Sequence, residues 1–274
     1  MECVLLPDGA RIVTASEDHT ARLWDATTGM KITALRGHED AVLSASFSPD
    51  GTRIVTASND HTARLWDATT GHEIIALRGH ENWVSSASFS PDGARIVTAS
   101  IDCTARLWDA TTGQEIIALR GHEGGLQSAA FSSDGARIVT ASSDNTARLW
   151  DATTGREITR IILDAWVTGL SVHGGMIALG DALGRIHVFD SEEFLIGKRF
   201  SQWLTPRIQS SRFSSFIWRQ QRRSATVGQI GRSVLAAECG KVAGGGGSMR
   251  ISPARRSHLP IAVSTVQTES TSDF

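Results

Sequence analysis

Three sets of a histidine, a threonine, an aspartate and a tryptophan recur in this sequence at matched spacings. The sets are His38, Thr56, Asp60 and Trp66; His80, Thr98, Asp102 and Trp108; and His122, Thr140, Asp144 and Trp150. A hydroxyl, an imidazole and a carboxylate are the groups of a nucleophilic triad. Catalysis needs one preorganised site, however, whereas these sets are equal copies at a fixed period. We therefore expect no catalytic residue and no enzyme activity.

Metal and cofactor binding are the next chemistries that the residue types suggest. The histidines of the three sets belong to separate copies, and His19 and His61 are replaced by Cys103 and Asn145 in later copies. No compact ligand spacing of the kind that zinc requires is present. The run Gly244–Gly247 is not followed by the Lys-Ser/Thr of a phosphate loop. We expect no metal and no cofactor.

The elements that carry the sets repeat every forty-two residues, since TARLWDATTG occurs at residues 20–29, 62–71, 104–113 and 146–155. In the copy ending at Asp67, turn signals such as Ser48-Pro49-Asp50-Gly51 separate four apolar runs: VLSASF, RIVTAS, TARLWD and EIIALR. Short runs between turns predict antiparallel strands and leave no room for helices. A lone four-stranded sheet cannot bury both faces, so the copies must stack face to face.

Two dipeptide motifs narrow the architecture. GH stands at residues 37–38, 79–80 and 121–122, and WD follows at residues 66–67, 108–109 and 150–151. With this period, the pattern resembles the WD-repeat (WD40) β-propeller family over about residues 3–190. The resemblance implies an all-β propeller of four-stranded blades. It also implies that each set is a structural tetrad, in which a buried Asp accepts from His and the Thr hydroxyl bridges His to the indole N–H.

The two ends of the array depart from the repeat. Repeats end at Trp24, Trp66, Trp108, Trp150 and Phe189, which predicts about five blades. The first is incomplete, because it keeps Thr14, Asp18 and Trp24 without a histidine. The fifth is degenerate: Leu179 and Leu183 stand at the Thr and Asp positions, so we expect apolar packing instead of a tetrad. WD-type propellers most often have seven blades, so we expect a partial propeller that need not close and could self-associate through its open ends.

Charge separates the chain into two regions. Residues 1–190 carry 15 Lys and Arg against 24 Asp and Glu, a net −9, whereas residues 191–274 carry 12 against 5, a net +7. We assign a propeller to residues 1–190 and a basic, low-complexity, largely disordered tail to residues 191–274. The segment SEEFLIGKRFSQWL could be a helix or a last strand. Arginines 219, 222 and 223 beside Trp218 leave open the alternative of a nucleic-acid-associated protein.

The cellular location is predicted from what the sequence lacks. No apolar run approaches about 18 residues, so we expect no membrane span, and the N-terminus does not read as a signal peptide. The cysteines at 3, 103 and 239 show no framework spacing, which is typical of a reducing compartment. We expect a cytoplasmic protein.

Positions that differ between the copies are free to specify a partner. They vary after GHE, before the turn aspartate, and after the third strand, where Met30, His72, Gln114 and Arg156 occur. The first two columns belong to loops at one end of a propeller, the usual docking surface of the family. They provide the candidate contacts Asp40, Asn59, Asn82, Trp83 and Ile101. For Trp83 and Ile101, packing on the neighbouring blade and incidental exposure remain the respective alternatives.

The function that follows is a non-enzymatic interaction scaffold or sensor module for a protein or peptide partner. The near-identical copies resemble repeat arrays of bacterial and fungal signalling proteins. We therefore expect the chain to be a fragment or C-terminal part of a larger WD-repeat protein. A nucleic acid ranks below a protein as partner, and a membrane is not expected.

Overall fold

The computed structural model describes residues 3–6 and 9–190. Within them the chain forms nineteen strands and no helix. The strands make five antiparallel sheets in chain order, called blades 1 to 5 below. Blade 1 comprises β1 (Cys3–Leu5), β2 (Arg11–Ala15), β3 (Thr20–Asp25) and β4 (Lys31–Arg36). Blade 2 comprises β5 (Val42–Phe47), β6 (Arg53–Ser58), β7 (Ala63–Asp67) and β8 (Glu73–Leu77).

The remaining blades follow the same plan. Blade 3 comprises β9 (Val84–Phe89), β10 (Arg95–Ser100), β11 (Ala105–Asp109) and β12 (Glu115–Leu119). Blade 4 comprises β13 (Leu126–Phe131), β14 (Arg137–Ser142), β15 (Thr146–Asp151) and β16 (Glu157–Ile162). Blade 5 has three described strands, β17 (Val167–His173), β18 (Met176–Asp181) and β19 (Ile186–Asp190). The predicted all-β blades are confirmed.

The turn between the first two strands shows why the sequence reverses where it does. In blade 2 the Gly51 N–H donates to the Ser48 carbonyl at 2.8 Å, and the Ser48 N–H donates to the Arg53 carbonyl at 2.9 Å. Gly51 has a φ of 68°, in the left-handed region that a glycine adopts without steric cost. The Ser-Pro-Asp-Gly signal is therefore a hairpin that fixes the register of β5 against β6.

The core lies between the blades. In blade 2, Ile54 pairs with Trp66 across β6 and β7, and both pack towards blade 1. Val55 pairs with Leu65, and both pack towards blade 3. The two-residue alternation of a strand thus divides the apolar side chains between two neighbours. Because both faces are covered, the central strands are buried along almost their whole length, including the polar residues Thr56, Ser58 and Arg64.

Three arginines add polar links between successive blades. Arg53 of blade 2 donates to the carbonyls of Gly93 at 2.7 Å and Ala110 at 2.9 Å in blade 3. Its guanidinium also lies 5.4 Å from the centre of the Phe89 ring. Arg11 and Arg95 make the equivalent contacts with blades 2 and 4. Within the described residues, no bond of this kind extends from Arg137 to blade 5.

The described blades form a partial propeller. Hydrophobic clusters join blades 1 and 2, 2 and 3, 3 and 4, and 4 and 5, but in residues 3–6 and 9–190 none joins blade 5 to blade 1. Accordingly, Trp24 of blade 1 is partly exposed, whereas Trp66 is 1% and Trp108 2% exposed. The predictions for residues 191–274, including a last strand or helix and a disordered tail, lie outside the described residues.

Candidate functional site

The tetrad residues of each complete blade lie within hydrogen-bonding distance of one another. In blade 2, His38 Nδ1 is 2.7 Å from Asp60 Oδ2, and His38 Nε2 is 2.7 Å from Thr56 Oγ1. The Trp66 Nε1–H donates to the same Thr56 oxygen at 2.8 Å. The chain therefore ties the entering loop, β6, the following turn and β7 together through four side chains.

Blades 3 and 4 repeat this network. His80 bridges Asp102 at 2.7 Å and Thr98 at 2.8 Å, with the Trp108 N–H donating to Thr98 at 2.9 Å. The corresponding distances in blade 4 are all 2.7 or 2.8 Å, among His122, Asp144, Thr140 and Trp150. Each network is closed upon itself within one blade.

Access decides what the tetrads can do chemically. The hydroxyl-bearing residues Thr56, Thr98 and Thr140 are 0% exposed, and each oxygen already accepts an indole N–H. A nucleophile must reach a substrate, which these oxygens cannot do in this fold. The arrangement supports a rigid blade, because a fully satisfied buried network restricts its members to one geometry.

The titration of the tetrads follows from burial and hydrogen bonding. Burial by itself would raise the pKa of Asp144, but hydrogen bonds from Thr146 and His122 lower that pKa to about 2. Burial lowers the pKa of His122, against the opposing effect of Asp144. The imidazole is therefore neutral at neutral pH, so Nδ1–H donates to Asp144 and the Thr140 hydroxyl donates to Nε2.

A set of ion pairs between a buried arginine and a more exposed glutamate was missed by the sequence reasoning. Arg64, which is 7% exposed, pairs with Glu73 across β7 and β8, with Nη1 and Oε2 2.7 Å apart. The equivalent pairs in blades 3 and 4 are Arg106–Glu115 and Arg148–Glu157. The signal was a glutamate that recurs two residues after the glycine of each internal Asp-Ala-Thr-Thr-Gly segment, at the first position of the next strand. Blade 1 has Lys31 there, and its Arg22 pairs with Asp18 instead.

Blade 5 lacks a tetrad and packs apolar side chains, as predicted, but Leu183 is 66% exposed and a polar network accompanies the apolar packing. Leu179 is buried as expected, but Asp181 is also buried, with its side chain 0% exposed. Its carboxylate accepts from Arg185 Nε at 2.7 Å and lies 3.0 Å from His187 Nε2. The sequence analysis did not identify this aspartate, because it aligns with Ser142 at the end of the second strand and not with Asp144 in the turn.

The two variable columns proposed as partner contacts come together at one end of the blades. Backbone hydrogen bonds join the loop before each first strand to the turn after each second strand: Asn59 N–H to the Ala41 carbonyl at 3.0 Å, and Ile101 N–H to the Trp83 carbonyl at 2.9 Å. Residues of the third column, such as His72, lie in the turn at the opposite end of the strands.

The five candidate contacts differ in exposure. Asp40 is exposed, Asn59 and Asn82 are partly buried, and the Trp83 side chain is 48% exposed. Ile101 is partly buried: an added Cβ on Gly125 of blade 4 would lie 3.1 Å from the Ile101 Cδ1. Ile101 therefore packs on the neighbouring blade, whereas nearly half of Trp83 faces outward.

A second exposed tryptophan lies at the same point of the fold and was also missed. The Trp166 carbonyl accepts from the Ala182 N–H at 2.9 Å, as the Trp83 carbonyl does from Ile101, and Trp166 is 59% exposed. Aligning Leu163-Asp164-Ala165-Trp166 of blade 5 with His80-Glu81-Asn82-Trp83 would have placed it in the variable column.

The comparison with known families accounts for the repeats. The profile described as WD domain, G-beta repeat, matches residues 2–25, 29–67, 71–109 and 113–151, together just over half of the chain. The chain belongs to the WD-repeat family. Each internal WD unit combines the fourth strand of one blade with three strands of the next, so that β4 precedes β5–β7 in the unit 29–67. No curated protein matches the chain.

Two further observations concern other kinds of site. Across residues 3–6 and 9–190, no three His, Cys, Asp or Glu side chains come together in an arrangement that could hold a metal ion. The same stretch of this WD-repeat chain contains no helix long and apolar enough to cross a membrane. WD-repeat domains are typically non-catalytic modules that mediate protein–protein interaction.

Proposed function

We propose that this WD-repeat chain is a non-enzymatic scaffold or sensor module that binds a protein or peptide partner. The partner lies across the loops that precede the first strands and the turns that follow the second strands. Asp40, Asn59, Asn82, Trp83 and Ile101 are the proposed contact residues. The prediction of a cytoplasmic location belongs to this proposal and rests on the cysteine content.

The exposure of Trp83 carries the proposal. Its backbone is held on both sides, since its N–H bonds to the Asn82 side chain at 2.8 Å and its carbonyl accepts from Ile101 at 2.9 Å. A large aromatic ring on a fixed backbone loses little conformational entropy when it becomes buried by a partner. Such residues supply most of the energy of an interface. The copies place Ala41 and Gly125 at the same position, so blade folding does not require a tryptophan there.

A peptide library displayed on phage and selected on the immobilised chain would test the proposal. The affinity of the enriched peptides is then measured for the wild type and for Trp83→Ala. We expect affinity to fall by about tenfold or more, with the thermal midpoint nearly unchanged. Met30→Ala is the matched control, because Met30 is 70% exposed at the opposite end. Enriched peptides that bind Trp83→Ala as tightly as wild type would contradict the proposal.

Self-association is a second proposal, favoured by the partial exposure of Trp24. This residue occupies the position of the buried Trp66, and Val188 on the outer face of blade 5 is 46% exposed. Exposed blade faces and strand edges favour association between copies. Sedimentation velocity over a range of concentrations should then detect species larger than the monomer, and Val188→Lys should reduce them.

The nucleic-acid alternative rests on the basic composition of residues 191–274, which lie outside the described part of the chain. It requires binding to single- or double-stranded oligonucleotides that weakens steeply with salt and is lost when residues 191–274 are removed. Binding that survives this truncation would assign the nucleic acid to the blades instead.

A further inference from the structure

The loops of blades 3, 4 and 5 form one continuous feature, which we call the tryptophan rim: residues 81–83, 123–125 and 164–166. Trp83 and Trp166 occupy the same position in blades 3 and 5, and Gly125 occupies it in blade 4 between them. Blades 3 and 4, and blades 4 and 5, pack directly together. Two exposed tryptophans therefore flank a loop that has glycine at two successive positions, Gly124 and Gly125.

The glycines between the tryptophans are required by packing. A Cβ on Gly124 would lie 2.7 Å from the Ser143 Oγ and 2.8 Å from the Asp144 backbone nitrogen. A Cβ on Gly125 would lie 3.1 Å from the Ile101 Cα. The loop of blade 4 thus presents no side chain after Glu123 between the two tryptophan positions.

The rim lies on the inner side of the blades. Its loops lead into the first strands, and hydrogen bonds join the first strands of neighbouring blades: Ser85 Oγ donates to the Leu126 carbonyl at 2.7 Å, and Ser88 Oγ to the Ala129 carbonyl at 3.2 Å. A partner that crosses the rim would therefore lie over the centre of the propeller rather than at its circumference.

The charge of the rim is negative. Each loop begins its exposed part with an acid: Glu81, Glu123 and Asp164. Glu81 and Glu123 are exposed, whereas Asp164 pairs with Arg185 at 3.1 Å. Neither the rim loops nor the adjoining turns 101–103, 143–145 and 182–184 contain Lys or Arg. The exposed Arg78 and Arg120 follow the outer strands, on the far side of each blade from the inner strand.

We propose that the tryptophan rim binds an extended protein segment that carries arginine beside an apolar residue. This rests on the interaction function proposed above and names the class of its partner. A guanidinium is attracted to the face of an indole ring and to carboxylates, and both surround the di-glycine loop. An apolar side chain between two arginines can contact Leu183, which is 66% exposed in the turn next to Trp166.

Fluorescence anisotropy with three labelled synthetic peptides, GSRLRSG, GSKLKSG and GSELESG, tests the proposal on the full chain. We expect GSRLRSG to bind most tightly, GSKLKSG more weakly, and GSELESG not at all, with affinity for GSRLRSG falling as salt is raised. Trp83→Ala and Trp166→Ala should each weaken GSRLRSG binding about tenfold or more, while Met30→Ala leaves it unchanged. Equal binding of GSRLRSG and GSELESG, or no binding of GSRLRSG, overturns the proposal.

Glu123→Lys provides a variant that alters charge without removing a packed ring. Its side chain is exposed, so folding should be retained. We expect weaker GSRLRSG binding with a smaller salt dependence, and unchanged binding would overturn the electrostatic part of the proposal. Library peptides that depend on Trp83 but neither contain arginine nor depend on Trp166 would leave the interaction function standing and reject this inference. Independence from both tryptophans would reject both.

Discussion

Blades 3 and 5 expose a tryptophan at the same point of the same loop, yet they hold their strands together with different hydrogen bonds. In blade 3 the loop residue His80 bridges Thr98 and Asp102. In blade 5 Leu163 stands at the histidine position, and Asp181 collects the polar contacts instead. The two blades therefore share an exposed tryptophan but differ in the hydrogen-bond network beneath it.

The two networks share one element, a buried carboxylate that closes the turn after the second strand. Asp102 accepts from the Thr104 N–H at 2.9 Å, and Asp181 accepts from the Leu183 N–H at 3.0 Å. Such a side chain satisfies backbone donors that the turn leaves unpaired. In both blades a carboxylate paired with a side-chain nitrogen closes this turn, whereas the bridging histidine and threonine occur in blade 3 and not in blade 5.

Acidification should separate a tetrad blade from blade 5 with the largest effect, because it protonates a buried carboxylate in both blades and, in blade 4, His122 as well. The folded state holds the pKa of His122 below its ordinary value of 6.5, so the unfolded chain binds that proton more readily. Blade 4 should therefore lose stability as the pH falls below about 6.5. A further loss should follow between the ordinary pKa of Asp144, 3.8, and its folded value of about 2.

Blade 5 lacks this histidine, so it should lose stability only in the lower pH range, where the lowered pKa of Asp181 matters. Hydrogen-exchange protection factors of the blade 4 and blade 5 amides, corrected for the intrinsic rate at each pH, measure the difference. Simultaneous loss of protection in both blades near pH 6 would contradict the comparison.

Removal of the shared carboxylate should have the next largest effect, and an equal one in both blades. Asp102→Ala leaves His80 and two backbone donors unpaired, and Asp181→Ala leaves Arg185 unpaired by that carboxylate. Each should lower the free energy of unfolding by about 3 kcal/mol, because each carboxylate is itself buried and several hydrogen-bond donors lose this acceptor. Urea-induced unfolding followed by tryptophan fluorescence measures both changes.

Asp18→Ala in blade 1 is the matched control. The Asp18 side chain is 44% exposed and pairs with Arg22 at the surface, so the loss should stay within about 1 kcal/mol. If Asp181→Ala behaves like Asp18→Ala rather than like Asp102→Ala, the network of blade 5 is not equivalent to a tetrad.

The arginine links offer a smaller test at the junctions between blades. Arg95 donates to the carbonyls of Gly135 at 2.8 Å and Ala152 at 3.3 Å, and its guanidinium lies 5.3 Å from the centre of the Phe131 ring. Arg95→Met should lower the free energy of unfolding by about 1 to 2 kcal/mol. Arg137→Met should cost less than about 0.5 kcal/mol, since the described residues contain no such link to blade 5. Equal losses would place an unseen link at that junction.

Most of the fold could be read from the sequence because the repeat supplied four aligned copies of the same turns and strands. The hairpin at Ser48–Gly51 and the alternation of Ile54 and Val55 are local patterns that one copy already specifies. The packing of one blade upon the next follows from the two apolar faces. None of these conclusions required knowledge of a contact between residues that lie far apart in the sequence and outside the repeat.

The contacts of blade 5 could not be read in the same way. Asp181 became visible as a network residue only once its turn was built, because its partners Arg185 and His187 have no counterparts in the other copies. Trp166 escaped for a related reason: residues 163–166 carry no Gly-His motif to set the alignment. Trp83 and Ile101 were both chosen as candidate contacts because their positions vary between the aligned repeats. Only their different exposure in the structure distinguishes them.

The smallest expected effect concerns backbone strain in the turn after the second strand. It can be tested by exchanging one turn residue between blades 3 and 5. One position of the turn after the second strand, directly after Asp102 in blade 3 and directly after Leu183 in blade 5, has a left-handed backbone in every blade, with φ of 67° at Cys103 and 76° at Gly184. A side chain in this region costs roughly 1 to 2 kcal/mol, which glycine avoids. Nothing lies within 4 Å of a Cβ built on Gly184, so strain alone would act there.

Swapping the two residues isolates that strain. Cys103→Gly should raise the free energy of unfolding by about 0.5 to 1 kcal/mol, since the greater entropy of glycine in the unfolded chain offsets part of the relief. Gly184→Cys should lower it by a similar amount, and both changes are measured by urea-induced unfolding. The two blades share this backbone geometry but differ in their hydrogen-bond networks. Changes in the free energy of unfolding that are similar in size and opposite in sign would therefore assign the effect to the turn itself. A gain at Cys103 without a loss at Gly184 would instead mean that the network of blade 5 lets its turn relax.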